Sequence, residues 1–234
     1  MRLDRYVSEG LGVTRSQAKA LLQKGRVTVD GAVCKKGDVQ VDENSAVIAD
    51  GRTLGRSQPL YLMMNKPQGV VSASEDRRDT TVVDLVGDAY PRRALFPAGR
   101  LDKTTTGFVL LTDDGAFAHQ ILSSAHHVSK TYQVLLDTPV TRQMVQGFAA
   151  GVTLADGQTM KPARLTPDPA DPCRCTVVLT QGVYHQIKRM FGVFGAGVDG
   201  LHRSAMGGLA LDPALEPGQW RPIRPEEMEL LQQG

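Results

Sequence analysis

The segment that decides the fold is Gly99-Arg100-Leu101-Asp102-Lys103-Thr104-Thr105-Thr106-Gly107, which runs directly into the apolar stretch Phe108-Val109-Leu110-Leu111. It places one carboxylate, Asp102, between an arginine and three threonines whose hydroxyl groups can hold a turn by local hydrogen bonds. The glycine then releases the chain into a strand, so that the carboxylate stands at the mouth of that strand. Because an aspartate beside an arginine usually forms a surface ion pair or caps a turn, its function depends on the segments around it.

The composition indicates a globular protein with a packed core. The 234 residues are 41% hydrophobic, and no apolar run approaches the ~20 residues that a membrane-spanning helix needs. The N-terminus lacks the apolar stretch of a signal peptide. Three cysteines, an odd number, do not indicate a disulfide framework. The sequence therefore predicts a cytoplasmic protein without a membrane partner.

Positive charge is concentrated at the N-terminus. The whole chain carries a net charge of only +2, but its first 36 residues hold eight basic residues against three acidic ones. The basic residues are Arg2, Arg5, Arg15, Lys19, Lys24, Arg26, Lys35 and Lys36. A basic head on a near-neutral body indicates a module that binds a polyanion.

The head reads as two short helices and a small hairpin. Thr14 and Gln17 have the spacing of a capping box that opens the second helix, and Gly25 stands where a helix C-terminal glycine is expected. Asp30-Gly31 is a strong signal for a tight turn after the strand Val27-Thr28-Val29. Residues 50–59 are rich in glycine and polar residues and read as a linker, so the predicted domains are 1–58 and 59–234.

The second domain reads as α+β. Strands are predicted at 60–64, 108–111, 131–136, 162–166 and 176–180, and helices at 115–123, 140–150, 184–195 and 225–232. The strands are not joined by regular βαβ units. The expected fold is therefore a mixed, mainly antiparallel sheet flanked by helices.

Two further segments carry residues that a base-processing site would use. In Lys130-Thr131-Tyr132-Gln133-Val134, alternation places Tyr132 on the same strand face as Val134 and Leu136. Its ring is then either part of the core or a surface on which a flipped base stacks. In Gly182-Val183-Tyr184-His185-Gln186-Ile187-Lys188-Arg189-Met190-Phe191, an apolar helical stripe is flanked by Lys188 and Arg189, one of which could turn toward an acid.

The order of these motifs resembles two known families. The head is similar to the S4 RNA-binding fold in its runs Arg2-Leu3-Asp4-Arg5-Tyr6-Val7, Thr14-Arg15-Ser16-Gln17-Ala18 and Gly25-Arg26-Val27-Thr28-Val29-Asp30-Gly31. The body resembles the pseudouridine synthases, in particular the RsuA branch that modifies small-subunit ribosomal RNA. The motifs are Asn65-Lys66-Pro67-x-Gly69, the loop 99–107, Lys130-Thr131-Tyr132, His185-Gln186-Ile187-Lys188-Arg189-Met190-Phe191 and Leu201-His202-Arg203 with Gly207-Gly208. The pair His126-His127 favours the RsuA branch.

The resemblance implies the isomerisation of a uridine to pseudouridine in 16S rRNA, expected at uridine 516. It implies Asp102 as the catalytic carboxylate, Lys188 as its basic partner, and Tyr132 as the ring that stacks on the base and assists removal of the C5 proton. The residues expected to contact RNA are Arg100, Arg5, Arg15, Lys19, Arg26, Lys66, Arg189 and Arg203. No cofactor or metal is expected, and the protein is expected to act as a monomer on rRNA or a small-subunit assembly intermediate.

One motif position departs from the family, and three other functions remain open. The family usually carries an acid two residues after the catalytic aspartate, where this chain has Thr104. The alternatives are a related synthase acting on 23S rRNA or tRNA, a non-catalytic S4-type assembly factor, and a glycosidase-like hydrolase that would recruit Asp113 or Asp114 as a second carboxylate. Binding of a metal by His126, His127 and the Cys173/Cys175 pair is a further, weakly supported hypothesis.

Overall fold

The computed structural model describes residues 1–42, 45–54, 58–91, 93–122 and 128–233. The chain forms two compact units. The first contains Met1–Pro59 together with Tyr90–Arg93, and the second contains Leu60–Ala89 and Ala94–Gly234. The domain boundary after residue 58 stays a prediction, and nothing in the sequence indicates that the short segment Tyr90–Arg93 belongs with the head.

The first unit packs two helices on a four-stranded antiparallel sheet. Its elements are α1 (Leu3–Leu11), α2 (Arg15–Gln23), β1 (Val27–Val29), β2 (Ala32–Val33), β3 (Val47–Ala49) and β4 (Arg52–Leu54), with the strand order β2-β1-β3-β4. The predicted capping box is present, since the Gln17 amide donates to Thr14 Oγ1 and the Thr14 amide donates to Gln17 Oε1. Asp30 and Gly31 both adopt positive φ, as a tight hairpin turn requires.

The second unit is built on one mixed sheet. Its strands are β5 (Tyr61–Lys66), β6 (Phe96–Ala98), β7 (Thr106–Thr112), β8 (Lys130–Leu136), β9 (Arg164–Pro167), β10 (Arg174–Leu179), β11 (Val198–Met206), β12 (Leu209–Ala210) and β13 (Trp220–Pro222). The order is β13-β5-β7-β11-β8-β10-β9, with β12 beside β11 and β6 beside β7. The β7–β11 pair is parallel, and the other strand pairs in this sheet are antiparallel.

Helices cover this sheet and complete two apolar clusters. They are α3 (Gly115–Leu122), α4 (Arg142–Ala150), α5 (Gln186–Gly192) and α6 (Pro225–Leu231), and a short 3₁₀ turn spans Gly87–Ala89. One cluster joins β8, β9 and β10 to α4 and α5, and the other joins β5 and β7 to α3 and α6. The expected α+β class, with a mixed, mainly antiparallel sheet, is therefore confirmed.

The central strand β11 is the main element that the sequence patterns do not indicate. Residues 198–206 mix three polar residues (Asp199, Arg203 and Ser204), a glycine and a histidine with the apolar residues, and no alternation of period two runs through them. The strand has two irregularities in its pairing with β8, between Val198 and Gly200 and between Arg203 and Ala205. The extended conformation of β11 is set by its neighbours in the sheet, so the local sequence pattern does not predict this strand.

Register aligns the sequence motifs on one row across the sheet. Lys66 pairs with Gly107, Gly107 pairs with Arg203, and Arg203 pairs with Tyr132. These residues come from four separate motifs. Since residues in register on neighbouring strands lie side by side, the row explains why segments far apart in sequence meet at one place.

No helix in the part of the chain that the structure describes is long and apolar enough to cross a lipid bilayer.

The row predicts that Gly107 cannot be replaced. Its φ is +100°, and an added Cβ would lie 2.8 Å from the Arg203 nitrogen and closer still to the Arg203 carbonyl oxygen. We expect Gly107→Ala to lower the free energy of unfolding by roughly 3 kcal/mol, because both backbone strain and overlap with a neighbouring strand must be relieved. Chemical denaturation measures the change.

Gly192→Ala is the matched control. Gly192 lies in α5 with no atom within 4 Å of an added Cβ, so the free energy of unfolding should change by less than roughly 1 kcal/mol. Equal stability of the two variants would contradict the packing at Gly107.

Candidate active site

The loop that carries Asp102 is held through its backbone. The Leu101 carbonyl accepts from the Ser72 hydroxyl at 3.0 Å, and the Asp102 carbonyl accepts from the Thr105 amide at 3.0 Å. The Lys103 carbonyl accepts from the Gly69 amide at 2.8 Å. Ser72 and Thr105 are buried, so these bonds are shielded from water. The loop therefore has one defined shape, and Asp102 projects from a rigid support.

Lys66 holds the same loop from beneath, and the prediction that it contacts RNA is wrong. Its side chain is fully buried, and Nζ donates to the carbonyls of Thr105 at 2.7 Å, Pro67 at 2.9 Å and Lys103 at 3.4 Å. Burial lowers the pKa of Lys66 to about 8, and the nearby Asp102 charge opposes this decrease. An ammonium group engaged by three carbonyls below the surface is not available to a phosphate.

Two basic side chains face the two oxygens of the Asp102 carboxylate. Lys188 Nζ lies 3.9 Å from Oδ2, and His185 Nε2 lies 3.4 Å from Oδ1. The side chains of Asp102 and Lys188 are 29% and 31% exposed, so the carboxylate is accessible while its partners come from the protein. The ion pair adds about 1 kcal/mol or less to stability at this exposure. Its effect is to orient the carboxylate.

Thr104, the position that departs from the family, takes part in this arrangement. Lys188 Nζ donates to Thr104 Oγ1 at 3.0 Å, which is shorter than its distance to the carboxylate of Asp102. The hydroxyl therefore gives the lysine a neutral acceptor in place of a second acid. Lys188 is held within reach of Asp102 without an additional negative charge in the loop.

Helix α5 and the residue just before it supply the two basic partners of Asp102. Ile187, Met190 and Phe191 are buried against β8–β10 and α4, as the apolar stripe predicts. This packing directs Lys188 to Asp102 from the remaining surface of the helix. Arg189, which the sequence assigns to RNA contact, instead forms an ion pair with Asp156.

His185 is a site residue that the sequence reasoning does not single out. It precedes α5 in the left-handed region, with φ 51° and ψ 31°, which is uncommon for a residue other than glycine. Its ring stacks on that of Tyr184, with the centroids 3.8 Å apart. The spacing of three residues to Lys188, which places both near one helix face, is the signal that could have revealed it.

Tyr132 and Arg203 pair in register next to the loop. Tyr132 is half-buried and packs against the apolar cluster that includes β8, so its contact with the core is present, and its stacking on a base stays a prediction. Arg203 is only 3% exposed, and its Nε donates to the Phe108 carbonyl at 2.7 Å. The prediction that Arg203 contacts RNA is therefore wrong as well, because its guanidinium group is buried.

A second buried lysine lies near Arg203. Lys130 is 6% exposed, and burial, together with the positive charge of Arg203, lowers the pKa of Lys130 to about 8. On the neighbouring strand, His202 Nδ1 lies 2.9 Å from Thr106 Oγ1, and burial lowers the pKa of His202 below its ordinary value. The interior beside the loop is thus rich in basic groups whose pKa values are lowered by burial.

The other residues assigned to RNA contact lie at the surface. Arg100 is exposed beside Asp102. In the first unit, Arg15 and Lys19 are exposed on α2 and Arg26 is exposed before β1. Arg5 forms an ion pair with Glu9, and Arg26 forms one with Asp50. These positions agree with contact to a polyanion, and the contact itself stays a prediction.

The carboxylates proposed for hydrolysis have structural roles. Asp113 Oδ1 accepts from the Leu60 amide at 2.9 Å. Asp114 Oδ1 accepts from the Phe117 amide at 3.0 Å at the start of α3, and its Oδ2 accepts from the Tyr61 hydroxyl at 2.7 Å. These bonds fit the turn that precedes the helix, so neither aspartate is placed as a second carboxylate for Asp102.

The described residues contain no group of three or more His, Cys, Asp or Glu side chains that could hold a metal ion. Cys175 is buried, which raises the pKa of its thiol to about 11, and Cys173 is half-buried. The pair His126-His127, which bears on the branch and on the metal hypothesis, lies outside the described residues.

The arrangement fits nucleophilic or general-base chemistry at one carboxylate. Asp102 is partly exposed on a rigid loop, a lysine and a histidine face its two oxygens, and a tyrosine lies two strands away from the loop's own strand. A group that reacts in this way needs a fixed position and a neighbouring positive charge, and both are present.

Comparison with known proteins identifies the families to which both parts of the chain are similar. Residues 60–192 match the family model described as RNA pseudouridylate synthase, and residues 1–47 match that of the S4 domain. An RNA pseudouridine synthase of Bacillus subtilis, YtzG, is 42% identical over 99% of this chain and 98% of its own length. Ribosomal small subunit pseudouridine synthase A of Yersinia pestis is 42% identical over 97% of both chains. The Escherichia coli protein of that name is 40% identical over 97% of this chain and 98% of its own.

A solved structure agrees over the full length. The crystal structure of a pseudouridylate synthase superposes with a TM-score of 0.70 at 38% identity, covering 99% of both chains. This agreement includes the S4 domain as well as the body with the Asp102 loop.

Replacement of Lys130 tests the buried charges beside the site. The unfolded chain keeps the Lys130 proton up to about pH 10.4, whereas the folded protein, with a pKa of about 8, releases it earlier. Between these values the unfolded state binds more protons, so a rise in pH favours the folded state. We expect the stability of the wild type relative to Lys130→Met to rise by roughly 1 kcal/mol per pH unit in this window.

Chemical denaturation at several pH values measures this difference, and Lys161→Met is the control. Lys161 is exposed, so removal of its amine removes no buried ammonium group, and the variant should follow the wild type across the window. A difference between wild type and Lys130→Met that does not change with pH would contradict the lowered pKa.

Proposed function

Since the chain belongs to the RNA pseudouridylate synthase family and carries an S4 domain, it is an isomerase that acts on RNA, and we propose that its substrate is a uridine of small-subunit 16S rRNA. The observation that carries the active-site assignment is the Asp102 carboxylate, with Lys188 and His185 at its two oxygens. The names of the relatives from Yersinia pestis and Escherichia coli support the small subunit as the target. We further propose uridine 516 as the position, and action as a cytoplasmic monomer.

The reaction exchanges one glycosidic bond for another. The bond between N1 of uracil and C1′ of ribose breaks, the detached base rotates, and C5 bonds to C1′, after which the proton on C5 is removed. Atoms and electrons balance without an oxidant or a reductant. The target uridine must first leave its stack, at a cost of roughly a few kcal/mol that contacts with the protein must offset.

Asp102 is the residue that acts on the sugar or the base. It either adds covalently or removes the C2′ proton to give a glycal, and both routes need an ionised carboxylate in a fixed position. Lys188 supplies a positive charge beside this carboxylate. The bond from Lys188 Nζ to Thr104 Oγ1 holds the lysine in this position. The buried clamp of Lys66 below the loop restricts motion of the nucleophile, which makes a productive geometry more frequent.

Tyr132 is the residue that we propose to contact the detached base. Its side chain packs against the apolar cluster that joins β8–β10 to α4 and α5, and this packing restricts its motion. A rigid aromatic ring offers a stacking surface for uracil, and its hydroxyl can accept or relay the proton that leaves C5. The exposed basic residues of the first unit, including Arg15 and Lys19, supply affinity for the RNA backbone.

Removal of the Asp102 charge tests the active site. We expect Asp102→Asn to lower the rate of pseudouridine formation by a factor on the order of 10⁴ or more, because the amide is neither a nucleophile nor a base. Binding of 16S rRNA should remain within about two-fold of the wild type, since the amide differs from the carboxylate in charge and not in size.

Asp168→Asn is the matched control, because Asp168 is exposed and accepts only from the amides of its own turn. It should keep full activity. Turnover by Asp102→Asn at the wild-type rate would rule out the assignment of the carboxylate.

Replacement of Tyr132 by phenylalanine separates its two roles. The ring and its packing are retained, so binding of RNA should not change, while loss of the hydroxyl should lower kcat by about 10²-fold if it moves the C5 proton. Steady-state kinetics with a modifiable RNA measure both. Full activity of Tyr132→Phe would leave the stacking role alone.

The substrate is tested in cells that lack the protein. Pseudouridine in their rRNA and tRNA is mapped by carbodiimide modification and primer extension. We expect one missing signal, at uridine 516 of 16S rRNA, that returns with the wild-type gene and not with the Asp102→Asn variant. A missing signal in 23S rRNA or tRNA would assign the related substrates instead, and no missing signal would favour the non-catalytic assembly factor.

A further inference from the structure

Tyr184 is an aromatic side chain that the mechanism described so far does not use. It is 72% exposed, the highest value among the large hydrophobic side chains in the part of the chain that the structure describes. The other exposed large hydrophobic residues are Met1, Val33, Ile48, Leu122 and Val193. An isolated exposed residue needs no explanation by itself. The position of Tyr184 beside the reactive carboxylate is what distinguishes it.

Two contacts connect the Tyr184 ring to Asp102. The rings of Tyr184 and His185 are stacked, with centroids 3.8 Å apart and planes 18° from parallel. On the other side, His185 Nε2 lies 3.4 Å from Asp102 Oδ1. The exposed tyrosine therefore stacks directly on the ring that contacts the carboxylate, so one ring separates it from Asp102.

The backbone supports this geometry at some cost. His185 adopts a left-handed conformation, which is sterically unfavourable for a residue with a side chain. The next residue, Gln186, is buried, and its Oε1 accepts from the Val183 amide at 3.2 Å. This bond closes the turn that carries Tyr184 and His185. The pair is thus held in place from both sides along the chain, as a preformed surface would be.

We propose that Tyr184 and His185 form a stacking platform for an RNA base next to the uridine that reacts at Asp102. This inference rests on the proposed function of the Asp102 site and adds a second base-binding position to it. One face of the Tyr184 ring is stacked on His185, and the high exposure of the side chain leaves room for a flat ligand. Nucleobases stack on such rings whatever their identity, because each has a π-face.

Charge near the platform favours RNA over a protein segment. Arg100 is exposed in the same loop as Asp102, and Lys188 follows His185 by three residues. Cations beside the Asp102 carboxylate attract the phosphates of an RNA bound there, whereas an apolar protein segment would gain nothing from them. In this arrangement Tyr132 contacts the reacting uracil, and Tyr184 contacts the base of the adjacent nucleotide in the RNA.

The first experiment compares Tyr184→Ala and Tyr184→Phe with the wild type, using an RNA in which the wild type forms pseudouridine. We expect Tyr184→Ala to raise KM about ten-fold, with kcat within about two-fold, because stacking contributes to binding of the neighbouring base. Tyr184→Phe keeps the ring and should match the wild type within about two-fold. Because the side chain is exposed, thermal unfolding should be the same for all three proteins.

Val193→Ala is the control for loss of exposed apolar surface. Val193 follows α5 and is 48% exposed, but no contact places it beside Asp102, so its KM should equal that of the wild type. An unchanged KM in Tyr184→Ala, or an equal increase in Val193→Ala, would overturn the platform.

The second experiment removes the base instead of the ring. Synthetic RNAs carry an abasic nucleotide on either side of the reacting uridine. One of the two should raise KM about ten-fold for the wild type and leave it unchanged for Tyr184→Ala, since the contact is already lost there. Equal effects of each abasic RNA on both proteins would contradict stacking on Tyr184.

The two proposals fail in different ways. If the wild type forms pseudouridine only in an RNA other than 16S rRNA, the substrate assignment fails, and the platform is tested on that other RNA. If Tyr184→Ala is impaired on an assembly intermediate and equals the wild type on protein-free RNA, the ring contacts a protein, and the platform for a base is overturned.

Discussion

The active site depends on the close parallel approach of β7 and β11 at Gly107 and Arg203. No side chain separates the two backbones there, because the space that a Cβ would need is taken by Arg203. This contact ends the Asp102 loop at a fixed point and joins the half of the sheet formed by β5 and β7 to the half formed by β8, β9 and β10. Lys66 lies in the first half and Tyr132 in the second, and this contact is what places them on one row across the sheet.

The site is organised by charge on two levels. Below the loop, Lys66 is buried and bound to carbonyl groups, and Lys130 and Arg203 are buried nearby. Above it, Lys188 and His185 remain partly exposed and face the carboxylate directly. Burying a charged group is costly unless it is hydrogen-bonded, and the Lys66 ammonium group offsets this cost by binding carbonyls of the loop and of Pro67. The partly exposed pair lies at the carboxylate that we propose as the reactive group.

Local signals in the sequence predicted much of the fold. The capping box of Thr14, the turn at Asp30-Gly31 and the strand after Gly107 are each decided within a few residues, so they could be read directly. The strand β11 could not be predicted, because its neighbours in the sheet come from residues up to about a hundred positions away.

Part of the site was predictable from the resemblance to a known family, not from local signals. Asp102 and Lys188 were identified by resemblance, and the structure places them within 3.9 Å of each other. The burial of charged side chains was the property that the sequence did not predict, because a lysine or an arginine is expected at the surface unless its neighbours in space are known. Lys66 and Arg203 were misassigned in this way. His185 was missed because its orientation depends on a backbone conformation that the sequence does not announce.

The grip of Lys66 on carbonyl groups has an evolutionary consequence. Every residue offers the same carbonyl, so the course of the loop does not depend on which side chains stand at positions 103 and 104. Substitutions there can alter what the rim of the site offers to an RNA without moving the nucleophile. Thr104 is such a change, already accommodated by Lys188. With such a scaffold, the residues that contact the RNA can change during evolution while the reactive carboxylate keeps its position.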